Sequence, residues 1–208
     1  MFYFVKTPLF VKKLFPKLIW SVATTKKVIY LTFDDGPTPK ITNWVLEELK
    51  SHNAKATFFC IGKNVEKYPE IILNIRNNGH VIGNHTQNHL NGWKTKTNVY
   101  IADVLKANQQ INKLTNQLLF RPPYGKIRSS QAKALQKIEY KIIMWDVLSA
   151  DFDTLISKEK CLQNVIKNTR NGSIIVFHDS LKASDNLKFV LPRVLTHFTK
   201  KGFEFKVL

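Results

Sequence analysis

Short apolar, β-branched runs alternate along this chain with stretches of helical periodicity, and that alternation limits the fold more than any other feature. The runs "VIYLTF", "ATFFCIG", "HVIGN", "LLFRPP", "YKIIMWDV", "SIIVFHD" and "FEFKVL" read as strands. Between them, "TPKITNWVLEELKSHN" reads as a helix. Thr38 is placed to cap it, Pro39 suits the first turn, and Ile41, Trp44, Val45 and Leu49 share one face. A second helix is expected from Pro69, with Ile71, Ile72 and Ile75 inward and Gly79 ending it. The stretches "NVYIADVLKANQQINKL", "SSQAKALQKI", "SKEKCLQNVIKNT" and "NLKFVLPRVLTHF" supply the remaining helices. About seven strands alternating with about six helices predict an α/β fold on a parallel sheet, closed or curled, with helices outside. A doubly wound open sheet satisfies the same alternation. At 208 residues, 44% of them apolar, the chain suits one folded domain with a sizeable core, spanning residues 27–208.

Residues 1–26 differ in character. "MFYFVKTPLFVKKLFPKLIW" is aromatic-rich and basic, with no apolar run near the ~18 residues of a membrane span. Lys12, Lys13 and Lys17 break the apolar region that a secretory leader needs before Ser21-Val22-Ala23, so no leader is expected. The segment either packs its apolar side on the domain or lies on a membrane surface as a basic amphipathic stretch. Pro8 and Pro16 would interrupt a long interfacial helix, which favours packing. A monomer in a cytoplasmic or peripheral-membrane setting is the expectation. Thirty-two Lys and Arg against fifteen Asp and Glu give a net charge of +17, which draws such a chain towards anionic cell wall or membrane. No Lys or Arg run exceeds two residues, so a specific nucleic-acid partner is not expected. Cys60 and Cys161 lack metal or redox spacing and read as buried thiols.

The polar residues fall where strands end. "LTFDDGP" closes the first strand with Asp34 and Asp35 and turns at Gly36-Pro37. Neighbouring strand residues point to opposite faces, so two adjacent acids at a strand end can do different work. An Asx-type turn with solvated acids is the alternative. "HTQNH" sets His85 and His89 four residues apart, so one helical turn or a tight loop can aim both imidazoles at one point. With Asp35 they form a three-ligand set that leaves a position open for water, as in hydrolytic rather than structural zinc sites. Such a metal lowers the pKa of its water to about 7, and Asp34 is the natural base. His178, after "SIIVF", is available as the acid for an amine leaving group, or is a satisfied core residue. Arg121 to Gly125 and Asp151 follow other strands, and in a barrel of parallel strands all these ends meet on one rim.

Taken in order, "TFDDGP", "HTQNH", "RPPYG" and "FHD" resemble the motifs of polysaccharide deacetylases, the NodB-homology type of carbohydrate esterase family 4. The similarity runs from Lys27 to the C-terminus. It implies a single-domain distorted (β/α)7 barrel with its active site at the C-terminal ends of the strands. It also implies Asp34 as catalytic base, Asp35, His85 and His89 as metal ligands, and His178 as general acid supported by Asp151. Arg121 would hold Asp34 ionised and oriented. The Tyr124 backbone N–H would serve the oxyanion, and Pro123, Trp145 and Phe152 would bound the substrate groove. One motif departs from the pattern. The family reads W-x-x-D-x-x-D-W where this chain has "WDVLSADF", with Leu148 for an Asp and Phe152 for the final Trp. Phe is smaller and lacks the indole N–H, a change that bears on substrate more than on chemistry.

The resemblance implies a metal-dependent hydrolase that removes N-acetyl groups from N-acetyl-hexosamine glycans, peptidoglycan or chitin-type oligomers. Zn2+ is the expected ion, and Co2+, Mn2+ or Ni2+ suit the same donors. An O-acetyl esterase, a small-amide hydrolase and a non-catalytic glycan-binding module are the other functions open to the same residues.

Overall fold

The computed structural model describes residues 3–111 and 117–208 of the chain. Among them eight strands follow in order: β1 (Val28–Asp34), β2 (Ala56–Cys60), β3 (Val81–Asn84), β4 (Leu119–Phe120), β5 (Lys141–Ile142), β6 (Val147–Leu148), β7 (Ile174–His178) and β8 (Glu204–Phe205). Their helices are α1 (Leu9–Leu14), α2 (Ile41–Ser51), α3 (Gly62–Lys67), α4 (Pro69–Asn77), α5 (Thr97–Ile111), α6 (Ser129–Lys137), α7 (Lys158–Asn168) and α8 (Ser184–Lys200). Every strand pairing is parallel, and the curled sheet runs β5-β4-β3-β2-β1-β7-β6, with β8 beside the start of β1. This is the distorted α/β barrel that the alternation and the resemblance predict. No helix among the described residues is long and apolar enough to cross a membrane.

Strands β1 and β2 are buried along almost their whole length, as expected where helices cover one face and the barrel interior the other. Phe33 of β1 stacks on Phe58 of β2 at 5.0 Å and on Phe177 of β7 at 5.9 Å. Val45 and Leu49 of α2 and Leu191 and Val194 of α8 belong to the same core cluster.

The structure corrects several expectations. Residues 140–147, read as one strand, fall in two strands at opposite ends of the sheet, β5 and the start of β6, so residues 143–146 bend across the barrel's open side. The cause is long-range: the carbonyls of Ile143 and Met144 turn to the Arg121 guanidinium at 3.2 and 2.9 Å instead of prolonging a ladder. Helix α2 begins at Ile41, with Lys40 as N-cap at φ 66°, not at Thr38. Thr42 Oγ1 accepts the Thr38 N–H and donates to Asp179, which keeps residues 38–40 in a loop. Helix α3 was not expected, because six residues are too few to show a helical period. Of the stretch read as helical to Leu114, residues 112–114 lie outside the described residues.

N-terminal residues line the bend. Ile19 N–H donates to Ile142 O at 2.9 Å, Met144 N–H donates to Ile19 O at 2.7 Å, and Leu148 N–H donates to Val5 O at 2.8 Å. Lys6 and Lys12 both donate to the Asp146 carboxylate, which also accepts from Ser173 Oγ. Burial works against that charge, but Lys12, Lys6 and Ser173 outweigh it and hold the Asp146 carboxyl below the usual range. Asp146→Asn removes the charge that the two lysines share. Hydrogen bonds to charged groups are worth about 1.5–3 kcal/mol, so the Thr7 amide should exchange about tenfold or more faster in the variant. That amide donates to the Asp146 carbonyl at 2.9 Å, and its exchange is readable by NMR. Unchanged protection would mean that backbone hydrogen bonds and apolar contacts hold the segment without the lysine pairs.

Candidate active site

Because the strands run the same way, their C-terminal ends share one rim. Asp34 registers beside Phe59 of β2 and His178 of β7, and Asn84 of β3 registers beside Phe120 of β4. The next residues along the chain, Asp35, His85 and Arg121, therefore start from neighbouring strand ends.

Asp34 is buried, and Arg121 Nη1 donates to its Oδ1 at 2.8 Å. Arg121 is itself wholly buried. Its other donors reach Thr32 Oγ1 at 2.6 Å and the Ile143 and Met144 carbonyls, and its guanidinium lies 4.2 Å over the Phe59 ring. Burial pulls the arginine's pKa down and the Asp34 carboxylate opposes that pull. Thr32 lies two residues before Asp34 on the same strand face, so a polar residue in an apolar strand was the available sign of this contact.

Asp35 leaves the strand conformation at φ 80°, which takes its carboxylate to different partners from those of its neighbour. Its Oδ1 lies 3.2 Å from His89 Nε2 and 3.7 Å from His85 Nε2. "HTQNH" is a tight loop rather than a helical turn, with Thr86 at φ 64° and His89 at φ 56°. Such residues cost about 1–3 kcal/mol each in strain and persist where surroundings enforce them. Here Asp103 accepts the amides of Gln87 and Asn88, both at 3.0 Å. His85 Nδ1 lies 2.7 Å from Arg121 O, and a carbonyl only accepts, so Nδ1 carries the proton and Nε2 presents its lone pair. Burial pushes His85 down to about 4, so it is neutral at pH 7. Burial alone would raise the Asp35 carboxyl, but His89, His178 and His85 outweigh it and hold it well below the usual range.

The three side chains fit a divalent metal. Their ligand atoms lie within 4.8 Å of one another. A tetrahedral centre with bonds of about 2.1 Å separates its donors by about 3.4 Å. Asp35 Oδ1 is buried yet accepts no well-formed hydrogen bond, so an anionic oxygen stands beside imidazole nitrogens with nothing to satisfy it.

On the β7 side, His178 Nδ1–H donates to Asp151 Oδ1 at 2.8 Å and its backbone N–H to Asp151 Oδ2 at 2.7 Å. Burial would lower this imidazole, but Asp151 foremost, then Asp35 and Asp34, push it up to about 9. It is therefore charged at neutral pH, with Nε2–H free to face the rim. Phe152 packs edge-on against His178 at 5.0 Å. Tyr3 packs edge-on against Phe152 at 5.7 Å and donates to Asp153 at 2.8 Å. Nothing in the sequence pointed to Tyr3. Asp179, read only as part of "FHD", accepts from Gly36 N–H and Thr42 Oγ, and burial pushes its carboxyl up to about 7. A Cβ on Gly36 would come within 2.1 Å of that carboxylate, so only glycine fits the turn after the two acids.

Tyr124 sits at φ 60°, and its hydroxyl lies 3.1 Å from His89 Nδ1. Tyr124 and Trp145 line one groove of about 530 Å³, with Leu148 also in its wall. Pro123, buried, and Phe152 do not line it.

Residues 21–143 match the family model described as polysaccharide deacetylase. The chain is 38% identical over 190 residues to a peptidoglycan-N-acetylglucosamine deacetylase of Bacillus cereus, a match covering 88% of this chain and 67% of that protein. It is 33% identical over 189 residues to the peptidoglycan-N-acetylmuramic acid deacetylase PdaA of Bacillus subtilis, covering 88% of this chain and 70% of that one. A solved peptidoglycan N-acetylglucosamine deacetylase superposes with a TM-score of 0.88 at 33% identity, covering 97% of this chain and 95% of the other.

Two outcomes follow from the buried pairs. Arg121→Met leaves the Asp34 carboxylate buried without its cation, and urea unfolding should show a loss of about 3–5 kcal/mol. In metal-free protein, NMR titration should find His178 near 9 and, in Asp151→Asn, displaced towards its ordinary 6.5. A histidine raised in the folded state stabilises fully below the unfolded value. The parent's extra stability from this pair should therefore fade as pH rises from 6.5 through about 9.

Proposed function

The chain belongs to the polysaccharide deacetylase family, and from that premise we propose that it removes N-acetyl groups from N-acetyl-hexosamine glycans of the peptidoglycan or chitin type. One observation carries the reading: two adjacent carboxylates with separate partners, Asp34 on a buried arginine and Asp35 among imidazoles, beside a charged histidine. The Bacillus relatives, named for N-acetylglucosamine and N-acetylmuramic acid of peptidoglycan, support the substrate class.

In this proposal Asp35, His85 and His89 hold a divalent ion, with Zn2+ the best match to one carboxylate and two imidazoles. When bound, such an ion polarises the acyl carbonyl and lowers the pKa of a water beside it. Asp34 takes the proton as that water's oxygen attacks the carbonyl carbon. Arg121 keeps Asp34 ionised and fixed in direction, because rotation would break the 2.8 Å bond. The Tyr124 backbone, turned at φ 60°, supplies an N–H to the developing oxyanion. His178 gives its Nε2 proton to the leaving nitrogen as the C–N bond breaks, and Asp151 holds the resulting neutral ring in place. The products are acetate and a free amino sugar. Trp145 forms a wall for the sugar, and Pro123 stiffens the loop that carries Tyr124. Phe152, in place of a tryptophan, bounds the acid side with a smaller ring.

Acetate release from N-acetylglucosamine oligomers by zinc-loaded protein tests the reading. The parent should turn over, while Asp34→Asn and His178→Ala should each lose about 10²–10⁴-fold. Release from acetylated xylan but not from the oligomers would assign ester rather than amide chemistry to the same residues.

A further inference from the structure

The N-terminal segment uses one side on the domain and leaves the other unpartnered. Leu18 and Trp20 pack against the cluster around Phe120, and Ile19 against that around Phe59. Leu9, Phe10 and Leu14 of α1 are instead 73%, 66% and 68% exposed. Scattered exposed apolar residues are ordinary, but these three stand on one short helix. Leu14 also lines the groove described above, with Phe15 and Lys17 on the segment's side and Trp93, Arg128 and Lys133 on the other.

Charge singles out the occupant. No carboxylate lines the groove, and residues 1–33 contain six lysines and no Asp or Glu. Lys6 and Lys12 are paired with Asp146, whereas Lys13 and Lys17 are exposed and in no ion pair among the described residues. A second copy of this chain would bring lysines against lysines. A sheet of lipid phosphates over hydrocarbon meets both features at once: aliphatic side chains enter the interface while ammonium groups stay with the headgroups.

We propose that this face docks on the surface of an anionic lipid bilayer, with Leu9, Phe10 and Leu14 inserted and Lys13, Lys17 and Lys133 on headgroup phosphates. Trp93, 59% exposed, then lies at the interface, the depth that tryptophan favours. The active-site rim would face glycan close to the membrane rather than glycan far from it.

Co-sedimentation tests this with vesicles of phosphatidylcholine alone and of phosphatidylcholine mixed equally with phosphatidylglycerol. The parent should bind the mixed vesicles and not the neutral ones. The variant Leu9→Ser/Phe10→Ser/Leu14→Ser keeps every charge and should lose about tenfold or more of that binding. Its melting temperature should match the parent's. Lys13→Glu/Lys17→Glu should weaken binding independently. Equal binding by the triple variant would reduce the contact to charge adsorption and overturn the proposal, as would no binding by the parent. A parent that is dimeric in buffer, with a monomeric triple variant, would assign the face to a second copy instead.

Discussion

The rim depends on one buried bond, Arg121 to Asp34. An arginine without solvent is tolerable only when its donors are met, and here a carboxylate, a threonine hydroxyl and two carbonyls meet them. Those partners belong to β1 and to the bent residues after β5, so a single guanidinium ties the barrel's centre to its open side. The same residue acts through its backbone. Its carbonyl fixes the His85 proton on Nδ1 and turns the Nε2 lone pair towards Asp35. Moving Arg121 would therefore disturb both Asp34, the proposed base, and the imidazole of His85, a proposed metal ligand.

Of the four carboxylates in this small space, Asp179 has only neutral donors and is pushed up to about 7, whereas each of the other three has its own cation or cation-to-be. Asp34 has Arg121, Asp35 has the imidazoles and the ion proposed for them, and Asp151 has His178. His85 and His178 show what the division achieves. Burial pushes both imidazoles down, yet His85 settles near 4 and His178 near 9. The first faces a carbonyl and the second a buried carboxylate. Environments that push like groups apart are how one site holds a neutral ligand and a charged acid at the same pH.

Much of this was legible in the sequence because its signals are local. "TFDDGP", "HTQNH", "RPPYG" and "FHD" each lie at or just after a strand end, and a parallel sheet brings strand ends together. What could not be read depends on distant partners. The strand "YKIIMWDV" breaks because Arg121 captures two of its carbonyls, and residue-by-residue propensity has no view of that. Helix α2 starts late because Thr42 bonds Asp179, more than a hundred residues away in sequence. Tyr3 reaches the His178 side of the site because Lys6 and Lys12 on Asp146, with backbone bonds at Val5 and Thr7, hold the N-terminal segment there. A helix as short as α3 is too brief to carry a period at all.

The division of labour between the two adjacent acids is the centre of this account, and zinc content of two single variants tests it most directly. Asp34→Asn should bind zinc at the parent's stoichiometry while releasing almost no acetate, and Asp35→Asn should lose the metal. If Asp34→Asn lost zinc as readily as Asp35→Asn, or if Asp35→Asn kept both metal and turnover, the assignment of separate roles to the neighbours would be wrong.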